Sequence, residues 1–234
     1  MPVQTAVKNP AILSYHTMRR VVGIIALALP FALAGGAIVL AVLGPGHRLP
    51  HPLVERSISD YYYTPMGPIY IGSLFVIASF LMSSRGYERI DKIAGYLAGF
   101  FALGVALFPS ESPYVSWYSK FEVGVGYVHT AFAALMFLAI AFFCLFLFPR
   151  SSEKRLSRRK RHRNLIYKIC GVTIVACIGA MTSLSLPGVY PRLRPGHPLL
   201  VTESLAMICF GVAWLTKGEG ILCDKPHNHH AHVS

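Results

Sequence analysis

Six long apolar segments, separated by polar loops, constrain the fold of this chain more than any other feature of its sequence. An α-helix rises ~1.5 Å per residue, so about 20 apolar residues cross the ~30 Å hydrocarbon core of a bilayer. Only 14% of the 234 residues are charged, whereas soluble domains carry about a quarter. The predicted membrane helices are Val21–Val42, Pro65–Met82, Ile93–Phe108, Gly124–Phe148, Leu165–Leu186 and Pro198–Thr216. The sequence therefore predicts one all-α domain over residues 1–234, a polytopic bundle of six transmembrane helices.

Lysine and arginine are concentrated in alternate connections between these segments. Seventeen of the 22 lie before segment one, after segments two and four, or after segment six, if Lys168 in the first turn of segment five is counted with the loop before it, and the other three loops hold five. Short cytoplasmic loops retain positive charge, so both termini are predicted to lie in the cytoplasm. An even number of crossings also places both termini on one side, so the two arguments agree. We expect a multi-pass protein of the plasma or inner membrane.

The densest basic run follows segment four and contains Arg158, Arg159, Lys160 and Arg161. Such a run determines topology, and we also expect it to contact the anionic head groups of membrane lipids. The net charge of +12 does not indicate nucleic-acid binding, because no interleaved aromatic residues or binding motif accompany the basic residues. The sequence leaves the oligomeric state open, and a homo-oligomer is one of the states that it allows.

One histidine and one acidic residue lie inside the predicted segments, His129 in the fourth and Glu203 in the sixth. Each lies about one turn from the predicted outer end of its helix. Ionisable groups inside a membrane are costly and indicate a functional site by default. His129 shares one helical face with Glu122, Gly126 and Ala133, because residues three and four apart lie above one another. We expect this face to point into the bundle.

The outer loop before segment two supplies further polar groups at the same level. In the stretch from Ser59 to Thr64 an acidic residue is followed by three tyrosines, which favour the membrane interface because an apolar ring carries a polar tip. Segment five ends at this level with Ser183. Polar groups from several segments thus converge on one leaflet. The predicted outer-leaflet pocket consists of Ser59, Asp60, Tyr62, His129, Ser183 and Glu203.

Three roles for this pocket are open from the sequence. The groups form a hydrogen-bond network that fixes helix packing, or a site for a ligand or proton, or a zinc site at Asp60, His129 and Glu203. No H-x-x-x-H pair supports the metal site, and no Walker loop, nucleophile elbow or dinucleotide fingerprint is present. The sequence therefore assigns no catalytic residue. The histidine-rich tail His227–His232 either binds metal as a flexible cluster or is a disordered end.

Four stretches of the chain resemble a family of small bacterial membrane proteins of unknown function. The stretches are Ser57–Tyr63, Ser84–Arg89, Ala102–Pro109 and Trp214–Glu219. This family is loosely associated with the Frag/DRAM/Sfk group of six-helix proteins. The resemblance spans nearly the whole chain, implies six helices and supplies no catalytic residue.

A second and weaker resemblance, through Ser59, Asp60 and His129, is to the alkaline-ceramidase and progestin-receptor-like membrane hydrolases, which have seven helices. Three functions follow from the residues and the two resemblances together. We expect first that the outer pocket binds a lipid or a small hydrophobic ligand. The alternatives are a metal-dependent membrane lipid hydrolase and a small proton- or ion-coupled transporter. Transport comes last because the inner halves of the segments hold few polar groups.

Overall fold

The computed structural model of the chain is built of α-helices. It describes residues 15–43, 54–83, 88–112, 114, 120–150, 157–184, 196–219 and 221. The helices are α1 (Tyr15–Leu43), α2 (Gly67–Ser83), α3 (Arg89–Leu107), α4 (Lys120–Phe142), α5 (Arg158–Leu184) and α6 (Pro198–Lys217), with a 3-10 helix at Ser59–Tyr63 and a π-helical turn at Phe143–Leu147 that extends α4. No β-strand occurs in these described ranges, which confirms the all-α prediction.

The described helices are those of a multi-pass membrane protein. Five of them are long and apolar enough to cross a membrane, and α2 is a shorter apolar helix of 17 residues. Large apolar side chains on their outer surfaces are exposed, for example Phe31 at 65% and Val172 at 61%. Soluble monomers rarely expose contiguous apolar surface of this kind, so lipid is the medium that covers it.

The second and third helices differ most from the predicted boundaries. The predicted short segment, Ile93–Phe108, is a 19-residue helix in the structure because α3 begins at Arg89. The backbone N–H of Glu88 donates to Asp91 Oδ2 at 3.2 Å, and this bond caps the start of α3. Segment two was expected to begin at Pro65, whereas α2 begins two residues later. The shortest helix is therefore α2 and not α3.

Consecutive helices pack against each other, and α6 packs against α1. The six helices therefore form a closed ring in chain order. One end of the ring is covered by residues 54–66, here called the cap segment, whose Arg56 carbonyl oxygen accepts a hydrogen bond from the N–H of Leu200 in α6. At the opposite end, here called the basic end, α1 begins and α6 ends.

Two glycines allow α1 and α6 to approach closely. A Cβ added to Gly23 would lie 2.9 Å from the carbonyl oxygen of Gly211, and a Cβ added to Gly211 would lie 2.7 Å from that of Gly23. The two backbones are therefore in direct contact. Because lipid tails are apolar, no hydrophobic driving force brings helices together within a membrane. Close backbone packing of this kind holds them together instead. This contact closes the ring.

Basic side chains bind helix carboxyl ends at the basic end of the ring. Arg20 Nε donates to the carbonyl oxygen of Gly218 at 2.8 Å. Lys217 Nζ and Lys160 Nζ lie 3.3 and 3.4 Å from the carbonyl oxygen of Phe148. The carboxyl end of a helix carries partial negative charge and unpaired carbonyl groups, so these cations stabilise α4 and α6.

An aromatic cluster fills the ring interior next to the basic end. The ring centroid of Trp214 lies 4.7 Å from those of Phe148 and Phe210 and 5.3 Å from that of Phe143. Tyr167 packs against Phe148 at 5.2 Å. All four contacts are edge-to-face, the favoured geometry for aromatic pairs. The aromatic cluster (Phe143, Phe148, Tyr167, Phe210 and Trp214) thus closes this half of the ring.

Replacing Gly23 by alanine is expected to destabilise the protein, because the new Cβ would lie 2.8 Å from the Leu215 backbone nitrogen. Overpacking of this kind costs about 1–3 kcal/mol, and each kcal/mol corresponds to roughly 2–4 °C in Tm for a chain of this size. The measurement is thermal unfolding in mild detergent.

The matched control is Gly35→Ala in the same helix. Nothing lies within 4 Å of a Cβ added there, and alanine is favoured over glycine inside a helix by roughly 0.5–1 kcal/mol. The control is therefore expected to keep or raise the Tm. Equal Tm changes in the two variants would contradict the close contact of α1 with α6.

Candidate functional site

A cavity of about 520 Å³ lies inside the ring at the end that the cap segment covers. Every helix contributes at least one apolar side chain to its wall, in chain order Leu29, Leu74, Val105, Phe137, Ile178 and Met207. The cap segment adds polar groups, and α4 and α6 add His129 and Glu203. Apolar walls with a few convergent polar groups are typical of a ligand site.

The cap segment is anchored to the N-terminal part of α6. The backbone N–H of Ile58 donates to Oε2 of Glu203 at 2.6 Å, and the Leu200 N–H donates to the Arg56 carbonyl oxygen at 2.9 Å. The first N–H groups of a helix have no partner within that helix. The Glu203 carboxylate, from another part of the chain, is the hydrogen-bond acceptor for the Ile58 N–H at the start of the 3-10 helix. Glu203 therefore caps this helix.

Asp60 is held by an ion pair and by its own backbone. Arg56 donates through Nε to Asp60 Oδ2 at 2.9 Å and through Nη2 to Oδ1 at 3.3 Å. This two-point geometry is the strong form of an arginine–carboxylate pair. The Asp60 N–H donates to Ser57 Oγ at 3.0 Å. Since Asp60 is only 3% exposed, the protein and not the solvent compensates its charge.

Ser59 and His129 form a chain of hydrogen bonds that ends at the backbone of Phe108, just after α3. His129 Nε2 lies 3.0 Å from Ser59 Oγ, and Nδ1 lies 2.7 Å from the Phe108 carbonyl oxygen. A carbonyl oxygen can only accept, so Nδ1 of the neutral ring carries the proton and Nε2 accepts from the Ser59 hydroxyl. The tautomer follows from the network. The Tyr70 hydroxyl lies 3.5 Å from Ser59 Oγ.

Four of the six predicted pocket residues line this cavity, namely Ser59, Asp60, His129 and Glu203. The structure does not place the other two on its wall. Tyr62 packs edge-to-face against Tyr63 with ring centroids 5.1 Å apart, and Ser183 is exposed and donates to the Gly179 carbonyl oxygen. Thr182 lines the cavity instead, because neighbouring residues of a helix point about 100° apart.

The sequence did not identify Arg56, Tyr70 or the Phe108 carbonyl as parts of this site. A signal existed for Arg56, because it lies four residues before Asp60 and opposite charges at that spacing pair on helical turns. No local signal marks the other two groups. Tyr70 lies in an apolar run, and the partners of Tyr70 and Phe108 lie 11 and 21 residues away.

Glu55 is a buried carboxyl group in the cap segment that the sequence also did not single out. The Tyr114 hydroxyl donates to its Oε1 at 2.5 Å, whereas Oε2 has no hydrogen-bond partner among the described residues. Burial raises the pKa of Glu55, the Tyr114 hydrogen bond opposes that change, and the nearby charge of Asp60 raises the pKa further. The folded protein therefore binds the Glu55 proton more tightly than the unfolded chain does.

The three side chains predicted to hold zinc are each bonded to protein groups. Asp60 pairs with Arg56, Glu203 accepts from the Ile58 N–H, and both ring nitrogens of His129 have partners. In the part of the chain that the structure describes, no three His, Cys, Asp or Glu side chains form a group suited to a metal ion. The zinc site stays a prediction that would require new partners for all three side chains. The tail 227–232 lies outside the described residues.

No protein-family model, curated protein or solved structure matches the chain. Both family resemblances therefore stay predictions, and the function is argued from the geometry of the site. All four motif stretches contain features described above. Ser57–Tyr63 lies in the cap segment, and Trp214 opens the last stretch from within the aromatic cluster. Ser84–Arg89 contains Glu88, which caps α3, and Ala102–Pro109 contains Phe108, whose carbonyl oxygen is bonded to His129.

The raised pKa of Glu55 predicts a pH-dependent contribution to stability. Because the folded protein binds this proton more tightly than the unfolded chain, the contribution is fully present below the ordinary pKa of 4.5 and is lost as pH rises through the higher folded pKa. Glu55→Gln keeps the size and the acceptor oxygen but cannot ionise. The Tm of the wild type is therefore expected to fall relative to that of Glu55→Gln as the pH is raised.

Thermal unfolding in detergent over a series of pH values measures this difference. Glu111→Gln removes an exposed carboxylate from the same end of the ring and controls for the change in net charge. A Tm difference between wild type and Glu55→Gln that stays constant with pH would overturn the prediction.

Proposed function

We propose that this chain is a six-pass membrane protein, with both termini in the cytoplasm, that binds a lipid or a similar small hydrophobic ligand in the cavity beneath the cap segment. The observation that carries the proposal is the cavity, whose wall includes apolar side chains from all six helices and polar groups from the cap segment, α4 and α6. Its volume of about 520 Å³ lies within the ~300–1,000 Å³ of ligand sites. The ligand enters from the outer leaflet.

The distribution of charge supports this orientation. Arg20, Lys160 and Lys217 lie at the basic end, on the carboxyl ends of α4 and α6. At the cap-segment end Arg56 is paired with Asp60. Cytoplasmic loops carry the excess of lysine and arginine, so the basic end faces the cytoplasm. The cap segment and its cavity then face the outside of the cell.

The same orientation brings the start of α5 close to the head groups of the inner leaflet. Arg158, Arg159 and Arg161 are exposed there, whereas Lys160 is half-buried and donates to the Phe148 carbonyl oxygen. Anionic lipids attract such residues by about 1 kcal/mol each. We infer that the three arginines contact anionic head groups and that Lys160 mainly stabilises α4.

The chemistry of the cavity wall matches an amphipathic ligand. The guanidinium of Arg56 lies on the cavity wall, where it can donate hydrogen bonds to a polar head group, and the side chain of Arg56 is 35% exposed. The hydrocarbon chain of such a ligand needs an apolar surface that can adapt to its shape. The flexible thioether side chains of methionine provide one. Three methionines line the cavity, Met136, Met181 and Met207.

The aromatic cluster favours binding over transport. Phe210 and Trp214 are 0% and 2% exposed in the ring interior beyond the cavity. A proton- or ion-coupled transporter needs polar groups through the depth of the membrane, whereas these side chains pack edge-to-face in that region. The cavity is therefore a pocket with one mouth in this proposal.

The proposed topology predicts which end of the ring is reached from outside an intact cell. In a variant without native cysteines, Glu111→Cys at the cap-segment end is expected to react with a membrane-impermeant maleimide in intact cells. Ser157→Cys, an exposed position beside the start of α5, is expected to react only after permeabilisation. The reverse pattern of labelling would place the basic end outside.

Lipid binding predicts that filling the cavity displaces the ligand. Ala133 lines the cavity, whereas Ala131 is exposed on the same helix and does not line it. Ala133→Phe is expected to lower the amount of co-purifying lipid about tenfold or more, because the ring of phenylalanine occupies the space of the ligand. Ala131→Phe is expected to retain it.

Mass spectrometry of lipids from the protein purified in mild detergent measures this amount, and metal analysis is made on the same sample. Equal lipid content in both variants would contradict binding in the cavity. Near-stoichiometric zinc that is lost in His129→Ala would replace the binding proposal by the metal-dependent alternative.

A further inference from the structure

The Ser59 hydroxyl and the His129 imidazole have the arrangement of a nucleophile and its general base. Their atoms Oγ and Nε2 lie 3.0 Å apart, and the Phe108 carbonyl oxygen holds Nδ1 at 2.7 Å. A serine hydroxyl becomes an effective nucleophile when an adjacent base removes its proton and a third group orients that base. Here the orienting group is a backbone carbonyl in place of the carboxylate of a serine triad.

The fold places this pair at the cavity and buries the imidazole. His129 is 4% exposed and lines the cavity together with Ser59. The other serine of the cap segment, Ser57, accepts a hydrogen bond from the Asp60 N–H and so supports the backbone. Ser59 is thus the cap-segment serine whose hydroxyl faces an imidazole. A shielded site strengthens the electrostatic interactions on which proton transfer depends.

We propose that Ser59 is the nucleophile of an acyl-transfer site, with His129 as general base and Tyr70 as donor to the oxyanion, and that the substrate is a carboxylic ester of an amphipathic lipid. This inference rests on the proposed binding of a lipid in the cavity. The Tyr70 hydroxyl lies 3.5 Å from Ser59 Oγ, so it can donate to an oxygen that becomes negative beside Oγ. Preorganised donors of this kind stabilise the transition state of acyl transfer.

The wall of the cavity orients such a substrate. Leu74, Met136 and Met207 provide an apolar surface for the acyl chain, while the Arg56–Asp60 pair lies on the same cavity and meets the polar part. Arg56 and Ser59 are three residues apart on the cap segment. The ester carbonyl, between chain and head group, is therefore brought to Ser59 Oγ.

The reaction proceeds in two balanced steps. In the first, Ser59 Oγ bonds to the ester carbonyl carbon and its proton passes to His129 Nε2. The bond from this carbon to the alcohol oxygen then breaks, and Nε2 returns the proton to the leaving alcohol, which leaves an acyl-Ser59. In the second, a water molecule loses a proton to Nε2 and attacks the acyl carbon. A carboxylic acid leaves, and the Ser59 hydroxyl recovers its proton from His129.

A long-chain alkyl fluorophosphonate tests the nucleophile directly in the full-length protein in mild detergent. Ser59 Oγ would bond to phosphorus as the P–F bond breaks, and fluoride would leave as the proton passes to Nε2. We expect one adduct per chain, at Ser59 by peptide mass spectrometry, with the same rate in EDTA. Ser59→Ala should abolish it, and Ser79→Ala, which changes an exposed hydroxyl bonded to the Phe75 carbonyl oxygen, should retain it.

Two further variants test the assigned roles. His129→Gln should slow labelling about 100-fold or more, since general bases contribute ~10²–10⁴ in rate. Tyr70→Phe keeps the buried ring and should slow labelling about tenfold or more through loss of the donor. Tm and co-purifying lipid are measured for each variant, so that a slow rate in a folded, lipid-bound protein is distinguished from unfolding. Hydrolysis of a long-chain p-nitrophenyl ester should follow the labelling rates.

The outcomes separate this inference from lipid binding itself. Labelling of Ser59 that depends on His129 supports the acyl-transfer site. A folded protein that retains its lipid but shows no adduct at Ser59 would overturn the acyl-transfer site and leave the binding proposal intact, with the hydrogen-bond chain then serving packing alone. A folded protein with neither lipid nor adduct would overturn both.

Discussion

The hydrogen bond between the Ile58 N–H and the Glu203 carboxylate, 2.6 Å long, is the contact on which the site depends. It joins the cap segment to α6 and caps the 3-10 helix that begins at Ser59. A carboxylate within a membrane helix is costly unless it is paired, and the cap segment supplies its partner. The same contact fixes Ser59 over the mouth of the ring, within reach of His129. The contact that anchors the loop therefore also places a polar wall of the pocket.

Closure of the helix ring creates the interior that the cap segment covers. Gly23 and Gly211 let α1 and α6 meet backbone to backbone, so the last helix returns to the first. The size of the interior side chains then decides which half of the ring is filled and which half holds a cavity. The aromatic cluster occupies the half near the basic end, while Ala133 and Ala134 of α4 face the cavity in the other half. Small side chains at one level and large ones at the other leave a cavity beneath the cap segment.

Much of the site was predictable, but its chemistry was not. Ser59, Asp60, His129 and Glu203 were expected at one level because helix ends fix the depth of nearby residues in a membrane. Depth alone does not say which side chains touch. Ser183 lies at the expected end of α5 yet is exposed there, and the Phe108 carbonyl that orients His129 carries no side-chain signal at all.

The sequence by itself determined the all-helical architecture, the approximate limits of the helices and the segregation of basic residues, because the apolar length and the local charge of each segment depend on no other segment. It also predicted a face of α4 that carries His129. Only the tertiary structure decided the order of the helices around the ring, the cap of Glu203 on the 3-10 helix, and the pairing of Ser59 with His129. Those contacts join residues 70 and 145 positions apart, and no local pattern encodes distances of that kind.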